Sequence, residues 1–304
     1  MTMAAQHNAA PLVAVAGNDE DVSTSLGPYG TYQRRGSHGV VLIHGITGAP
    51  VEMRYLARSL GRRGFTVACP QLAGHCETLR SLKATGWRDW YRSVERAFEF
   101  LARRCDQVFV SGLSMGALLA LQLAAEKKAR VAGVATLSAT FFYDGWNVPR
   151  IRQRLVLPLV LHSPLKYLLS YHEPSPYGIK DERIRSLIEA MYSGREALRA
   201  DQAGYSEFPA LTIAETFRLI RTVKRGLGGI VSPTLIAHAT EDDMASVRNA
   251  RYLAARLGSR EVETYLVDDS YHVLTLDKRR DDVADRVGHF FSECLARNAA
   301  ARRA

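Results

Sequence analysis

Between Val108 and Ala125 the chain reads VFVSGLSMGALLALQLAA, and an apolar run changes its period there at a serine flanked by glycines. Val108, Phe109 and Val110 are branched or aromatic, the composition of a short buried strand. After the glycines, Met115, Leu118, Leu119, Leu121, Leu123 and Ala124 crowd a helical surface made of good helix formers. A strand therefore runs into a helix with almost no connection, and Ser114 stands at the turn between Gly112 and Gly116. A nucleophile on so sharp a turn is held clear of the sheet, and the glycines leave space for the tight backbone, as the G-x-S-x-G elbow requires. The amide of Met115 comes next, at a helix amino terminus, where free N–H groups and the dipole favour negative charge.

The rest of the chain supplies the sheet that such an elbow needs. GVVLIHG (Gly39 to Gly45) reads as a strand, Val51 to Gly64 as a helix, FTVACP as the next strand, and Trp87 to Cys105 as the next helix. VAGVATLSA, PTLIAHA and VETYLV read as later strands, with helices from about Ser246 and from Arg279 to Arg297. Strands separated by helices imply a mainly parallel sheet covered on both faces, an α/β architecture. The alternation lapses between Phe141 and Ser232, a stretch holding Pro149, Pro158, Pro164, Pro174, Pro176 and Pro209 with several helix-like pieces. The expected organisation is a core of residues 38–140 and 233–298, a helical cap inserted at 141–232, and a loose Ala-, Gly-, Asn- and Ser-rich segment at 1–37.

A sheet and cap of this kind fit a chain of 304 residues, 47% hydrophobic and 23% charged, which is long enough to bury a full core. The longest apolar runs, such as VLPLVL, fall far short of a membrane span, and the amino terminus lacks a basic patch followed by a sustained apolar segment. Cytoplasm is the expected location, with transient contact at a membrane surface left open. Cys69, Cys76, Cys105 and Cys294 form no CxxC pair, so thiols in a reducing compartment are expected. The net charge of +9 permits attraction to anions, but the basic residues are scattered and no zinc spacing, P-loop or RNA-binding aromatic signature accompanies them. No nucleic-acid partner, metal or cofactor is expected, and oligomeric state is not encoded in these features.

A serine hydroxyl needs a base, and the base needs an orienting acid. In elbow-type chains these follow in the order serine, acid, histidine, each at the carboxyl end of a later strand. TEDDMAS after PTLIAHA supplies the acids, and DDSYHVLTLD after VETYLV supplies His272. His238 falls inside a strand, His289 inside the last helix, and His162 and His172 within the cap, positions that suit packing or surface roles better than a base. HGITGAP follows the first buried strand, and its glycines allow the Ile46 amide to turn toward Ser114 as a second oxyanion donor. His44 in that loop reads as a residue that shapes it through hydrogen bonds.

Five blocks, VVLIHGITGAP, VACPQLAGHCET, DWYRSVERAFEFLARRCDQVFVSGLSMG, PTLIAHATEDDM and DDSYHVLTLD, resemble the bacterial carboxylesterase and monoacylglycerol lipase group of α/β-hydrolases, from Gly39 to Leu295. The resemblance implies Ser114, Asp242 and His272 as catalytic triad, Ile46 and Met115 as oxyanion amides, and a small-molecule acyl ester as substrate. Of the three adjacent acids, Glu241 and Asp243 are then expected to be solvated or to serve a helix dipole. Cys76 departs from the GHG usual in the group, and the loop after the acid lacks the common proline, leaving Ser246 to cap the next helix. The cap is longer than in compact members, so glycerol contacts do not transfer.

The alternatives are an acyl thioesterase, with CoA- or carrier-bound acyl groups met by Arg150, Arg152, Arg154 or Lys224 and Arg225, and a noncatalytic binding protein on the same fold. In IRQRLVLPLVLHSPLKYLLSYH the apolar residues outnumber what one amphipathic stripe needs, and Pro158 and Pro164 break the run. A jointed lid lining an apolar acyl pocket is expected, with Leu161 and Leu168 as its substrate-facing residues.

Overall fold

The computed structural model describes residues 20–149, 151, 155–192 and 204–303. Their strands are β1 (Thr31–Gln33), β2 (His38–Ile43), β3 (Thr66–Cys69), β4 (Gln107–Leu113), β5 (Val131–Leu137), β6 (Ser170–His172), β7 (Glu207–Pro209), β8 (Thr234–Ala239) and β9 (Val262–Val267). The helices are α1 (Glu20–Leu26), α2 (Arg54–Arg62), α3 (Leu79–Lys83), α4 (Trp87–Ala102), α5 (Met115–Lys127), α6 (Leu157–Leu161), α7 (Glu182–Tyr192), α8 (Ala210–Gly226), α9 (Arg248–Ala254) and α10 (Arg280–Arg303).

Seven strands form one sheet in the order β1-β3-β2-β4-β5-β8-β9, parallel throughout except for β1, which runs antiparallel to β3 at one edge. In the middle of the sheet Val40 of β2 lies opposite Val67 on one side and Phe109 on the other. The central strands are continuous apolar runs because both their faces are covered, which is the usual state of a parallel sheet. One face packs Val41, Ile43, Val110 and Val134 beneath α4 and α5, and the other packs Val40, Leu42, Phe109 and Leu137 beneath α2 and α10. Helix α5 is buried from Met115 to Ala124, so it is apolar all round and lacks a solvent stripe. Each fully buried leucine along it contributes about 2 kcal/mol of transfer free energy.

Part of the segment expected to be loose is ordered. Val22 and Leu26 of α1 are buried against the α4 side of the sheet, and β1 pairs Thr31 with Cys69, although residues 1–19 lie outside the described chain. A composition poor in long apolar residues concealed two anchors that only tertiary packing rewards.

The segment expected to form a helical cap is not purely helical. Tyr171 of β6 pairs with Phe208 of β7 in a two-stranded antiparallel ribbon, and α8 packs its Leu219, Ile220 and Val223 against the core beside α5. Pro158 and Pro164 open short pieces, α6 and a single 3₁₀ turn over Pro164–Tyr167, as their missing N–H groups dictate. Among the described residues no helix is long and apolar enough to cross a membrane.

Candidate active site

The elbow is as tight as the glycines permit. Strand β4 ends at Leu113, α5 begins at Met115, and Ser114 alone joins them with φ 54° and ψ −113°. A Cβ on Gly116 would stand 2.3 Å from the Ile43 carbonyl oxygen, and one on Gly112 would stand 2.2 Å from the Gly116 carbonyl oxygen. Only glycine fits at either position. The Ser114 amide donates to the Leu137 carbonyl at 2.8 Å, and its hydroxyl lies 3.3 Å from the Thr140 hydroxyl. Met115 N–H is the first of α5 and has no partner within the helix, which leaves it free for an anion.

The candidate base and acid meet at the ends of the later strands. His272 Nδ1 lies 2.8 Å from Asp242 Oδ2 and 3.0 Å from Oδ1, and Asp242 Oδ1 also accepts the Met244 and Ala245 amides at 2.9 and 2.7 Å. A second imidazole touches the same acid, with His238 Nε2 3.4 Å from Asp242 Oδ2 and 2.6 Å from the Ala245 carbonyl. Burial works against the charged forms of both partners. Yet the proximity of the His272 ring holds Asp242 below its ordinary range, while Asp242, with Asp243 and Glu173 behind it, holds His272 above its own.

Asp243 is not the solvated group anticipated. It is fully buried, and its two oxygens accept the His272 amide at 3.4 Å and the Gly178 amide at 3.2 Å, tying the histidine loop to the cap. Ser138 Oγ donates to the His272 carbonyl at 2.7 Å, and buried Asp277 accepts the Tyr271 amide at 2.6 Å. Glu241 is half exposed and pairs with Lys180. Ser246 does not cap α9: its amide donates to Asp144, and that helix starts two residues later.

The loop that carries Ile46 is held from a direction the sequence did not reveal. Glu52 Oε2 accepts the Gly45 amide at 3.2 Å, the Tyr205 amide of the cap donates to the Thr47 carbonyl at 2.8 Å, and Thr47 itself has φ 58°. Burial pushes the Glu52 carboxyl up to about 7 against the pull of the Gly45 and Ala49 amides and of His272. A lone glutamate in an amphipathic stretch reads as surface, so nothing local marked it. His44 faces the loop with Nδ1 3.0 Å from the Gly45 carbonyl and accepts the Leu72 amide at 3.4 Å, and burial lowers it to about 3. Cys76 is buried with φ 62°, a backbone region that glycine enters more easily.

Ser114, His272 and Ile46 open onto one cavity of about 450 Å3 beneath the cap. Its walls are mostly apolar, including Leu157, Val160 and Leu169 from the lid run and Ile213 from α8. Leu161 and Leu168 do not line it. Leu161 stands one residue past the inward-facing Leu157 and Val160 and turns into a different cleft, and Leu168, beyond the proline-initiated turn, is 79% exposed. Glu173 is a second carboxyl in the apolar cavity, raised to about 7 by burial and by Asp243. Among the cap cations weighed earlier, Arg150, Arg152 and Arg154 fall outside the described residues, and Lys224 lines that other cleft.

A mostly parallel sheet with an elbow after its central strand and a helical layer on each face is the α/β-hydrolase fold. Within it, the sequence model of the family described as serine aminopeptidase, S33, matches residues 36–279, and the chain belongs to that family. A thermostable monoacylglycerol lipase of Bacillus sp. (strain H-257) is 30% identical over 266 residues, covering 86% of this chain and 93% of the lipase. A carboxylesterase of Bacillus subtilis (strain 168) is 26% identical over 261 residues, covering 85% of this chain and 94% of the esterase. Among solved structures, one from a study of the metagenome-derived lipolytic enzymes LipS and LipT superposes with a TM-score of 0.73 at 26% identity, over 87% of this chain and 97% of that one.

Proposed function

We propose that the chain hydrolyses carboxylic esters of acyl chains through an acyl-enzyme, with Ser114 as nucleophile, His272 as base and Asp242 as its orienting acid. Ser114 Oγ attacks the acyl carbonyl carbon while His272 Nε2 takes its proton, and the oxyanion is met by the Ile46 and Met115 amides. The alcohol leaves with the proton returned from His272, and a water then repeats the attack to release the acid. The observation that carries the reading is the His272–Asp242 contact of 2.8 Å at the mouth of the same cavity onto which Ser114 opens. The similarity to a monoacylglycerol lipase and a carboxylesterase supports it from the outside. Glu52 and Glu173, the carboxyl groups of a mostly apolar chamber, favour an alcohol part bearing hydroxyls that find acceptors there, as a monoacylglycerol would provide. Labelling by a fluorophosphonate tests the nucleophile: modification at Ser114 is expected, and an unlabelled but folded protein would overturn the reading.

Two quantitative consequences follow from the cavity and its titrating groups. Ile213→Ser and Val160→Ser are expected to raise KM several-fold for octanoyl and dodecanoyl esters and to leave acetate esters almost unchanged, since about 0.8 kcal/mol rides on each buried methylene. Leu168→Ser, at an exposed position outside the cavity, serves as the control in the same chain-length series. Because His272 must be neutral to accept the serine proton and its folded value is raised, kcat/KM should climb with pH along a limb centred above the ordinary histidine value of about 6.5. A pH–rate profile on p-nitrophenyl butyrate that levels off below that value would contradict this assignment of the base.

A further inference from the structure

A second cleft, larger than the acyl cavity at about 1250 Å3, opens on the other side of α6 between the start of the cap and α8. The two share Tyr143, Val148, Pro149 and Leu157 as a common wall, but the chemistry of the second is different. Five cations line it, Lys166, Arg218, Arg221, Lys224 and Arg248, against a single carboxylate, Asp144. Asp144 lies 3.6 Å from Arg248, and Arg218 pairs with Glu215 of its own helix. Among the described residues no carboxylate forms an ion pair with Lys166, Arg221 or Lys224.

The cations gather around aromatic rings. Phe142 has Lys224 Nζ 4.0 Å from its ring centre and the Arg248 guanidinium carbon 4.2 Å from it, so its ring holds two cations by cation–π attraction. Burial, and then Arg248, push the Lys224 ammonium down from its ordinary range. Phe217, Arg221 and Lys224 recur along α8 at spacings of four and three residues, which sets an aromatic ring and two cations on one helical face. Five cations with one acid among them, bordered by rings, are complementary to a multiply charged anion carried on an apolar or planar body.

We propose that this cleft binds a phosphate or diphosphate group borne by such a body, with Arg221 and Lys224 as its main contacts and Lys166 closing from the cap. The same chemistry is offered by a soluble phosphorylated small molecule and by a phospholipid headgroup. The site is independent of the ester chemistry at Ser114.

Trp146 lines the cleft and is 60% exposed, so its fluorescence reports occupancy. Titration of the full chain with ADP and with pyrophosphate, and flotation with phosphatidylcholine vesicles with and without phosphatidic acid, separate the two sources. Saturable binding in at least one arm is expected, weakening as salt rises. Arg221→Gln/Lys224→Gln should weaken it about tenfold or more, because both charge-assisted contacts to the anion are lost. Arg221→Lys/Lys224→Arg should restore most of the loss. If the double glutamine variant melts early, Lys166→Gln, on a different element of the cleft, is expected to weaken binding several-fold by itself. Absence of saturable binding in every arm overturns the proposal, as does undiminished affinity in a folded glutamine variant.

Discussion

Replacing Ser114 with alanine is expected to lower kcat for a medium-chain ester by about three or more orders of magnitude, leaving what the oxyanion donors and substrate binding still supply. The thermal midpoint should move by no more than about one or two degrees. Among the described residues the hydrogen-bond partner of the serine hydroxyl is the Thr140 hydroxyl at 3.3 Å, and alanine keeps the Cβ that the elbow already accommodates, so little packing is lost. The pairing of the two readouts is what makes the test decisive. A variant that retained most of its turnover would remove Ser114 from the mechanism, whereas one that lost activity together with its fold would leave the fluorophosphonate experiment to decide.

The second large effect is expected at Asp242. Asparagine in its place offers His272 Nδ1 one carbonyl oxygen and an amine that holds the wrong tautomer, and kcat should fall by about four orders of magnitude. The neighbouring acids should behave differently from it and from each other. Asp243 accepts two backbone amides from a buried position, so Asp243→Asn turns an amine toward an N–H donor and should cost about 1–3 kcal/mol of stability, with a smaller fall in kcat as the His272 loop loosens. Glu241→Gln breaks only a solvated pair with Lys180 and should be nearly silent. Parallel melts and single-substrate kinetics on the three variants check this ordering, and a larger kcat loss for Asp243→Asn than for Asp242→Asn would move the orienting acid by one residue.

That trio also marks how far the sequence could be read. The elbow was legible because G-x-S-x-G, a strand composition before it and a helix composition after it are all local signals. The histidine and the acidic loop were legible from their order after later strands. Which of two adjacent aspartates is buried for structural reasons was not, since propensity treats Asp242 and Asp243 alike and only the approach of the Gly178 loop from the cap distinguishes them. Glu52 was hidden for the same reason: its partner, the Gly45 amide, is set by the folding back of the loop after β2 rather than by any motif. In the run from Leu155 to Leu169, the excess of leucines was visible but their facing was not. With α6 only five residues long, Val160 turns to one cavity, Leu161 to another and Leu157 to the wall between them, a division that no single helical stripe encodes.

The backbone of Ser114 carries a consequence for the history of such a chain. A residue with a side chain held at φ 54° and ψ −113° costs on the order of 1–3 kcal/mol, and glycine would enter the same conformation with far less strain. Turnover and robustness therefore pull position 114 in opposite directions. In a lineage where hydrolysis ceased to matter, drift would favour glycine there, as a substitution that both abolishes the reaction and relaxes the fold. Under the proposed mechanism, a serine at that angle is the strain the reaction requires the fold to carry.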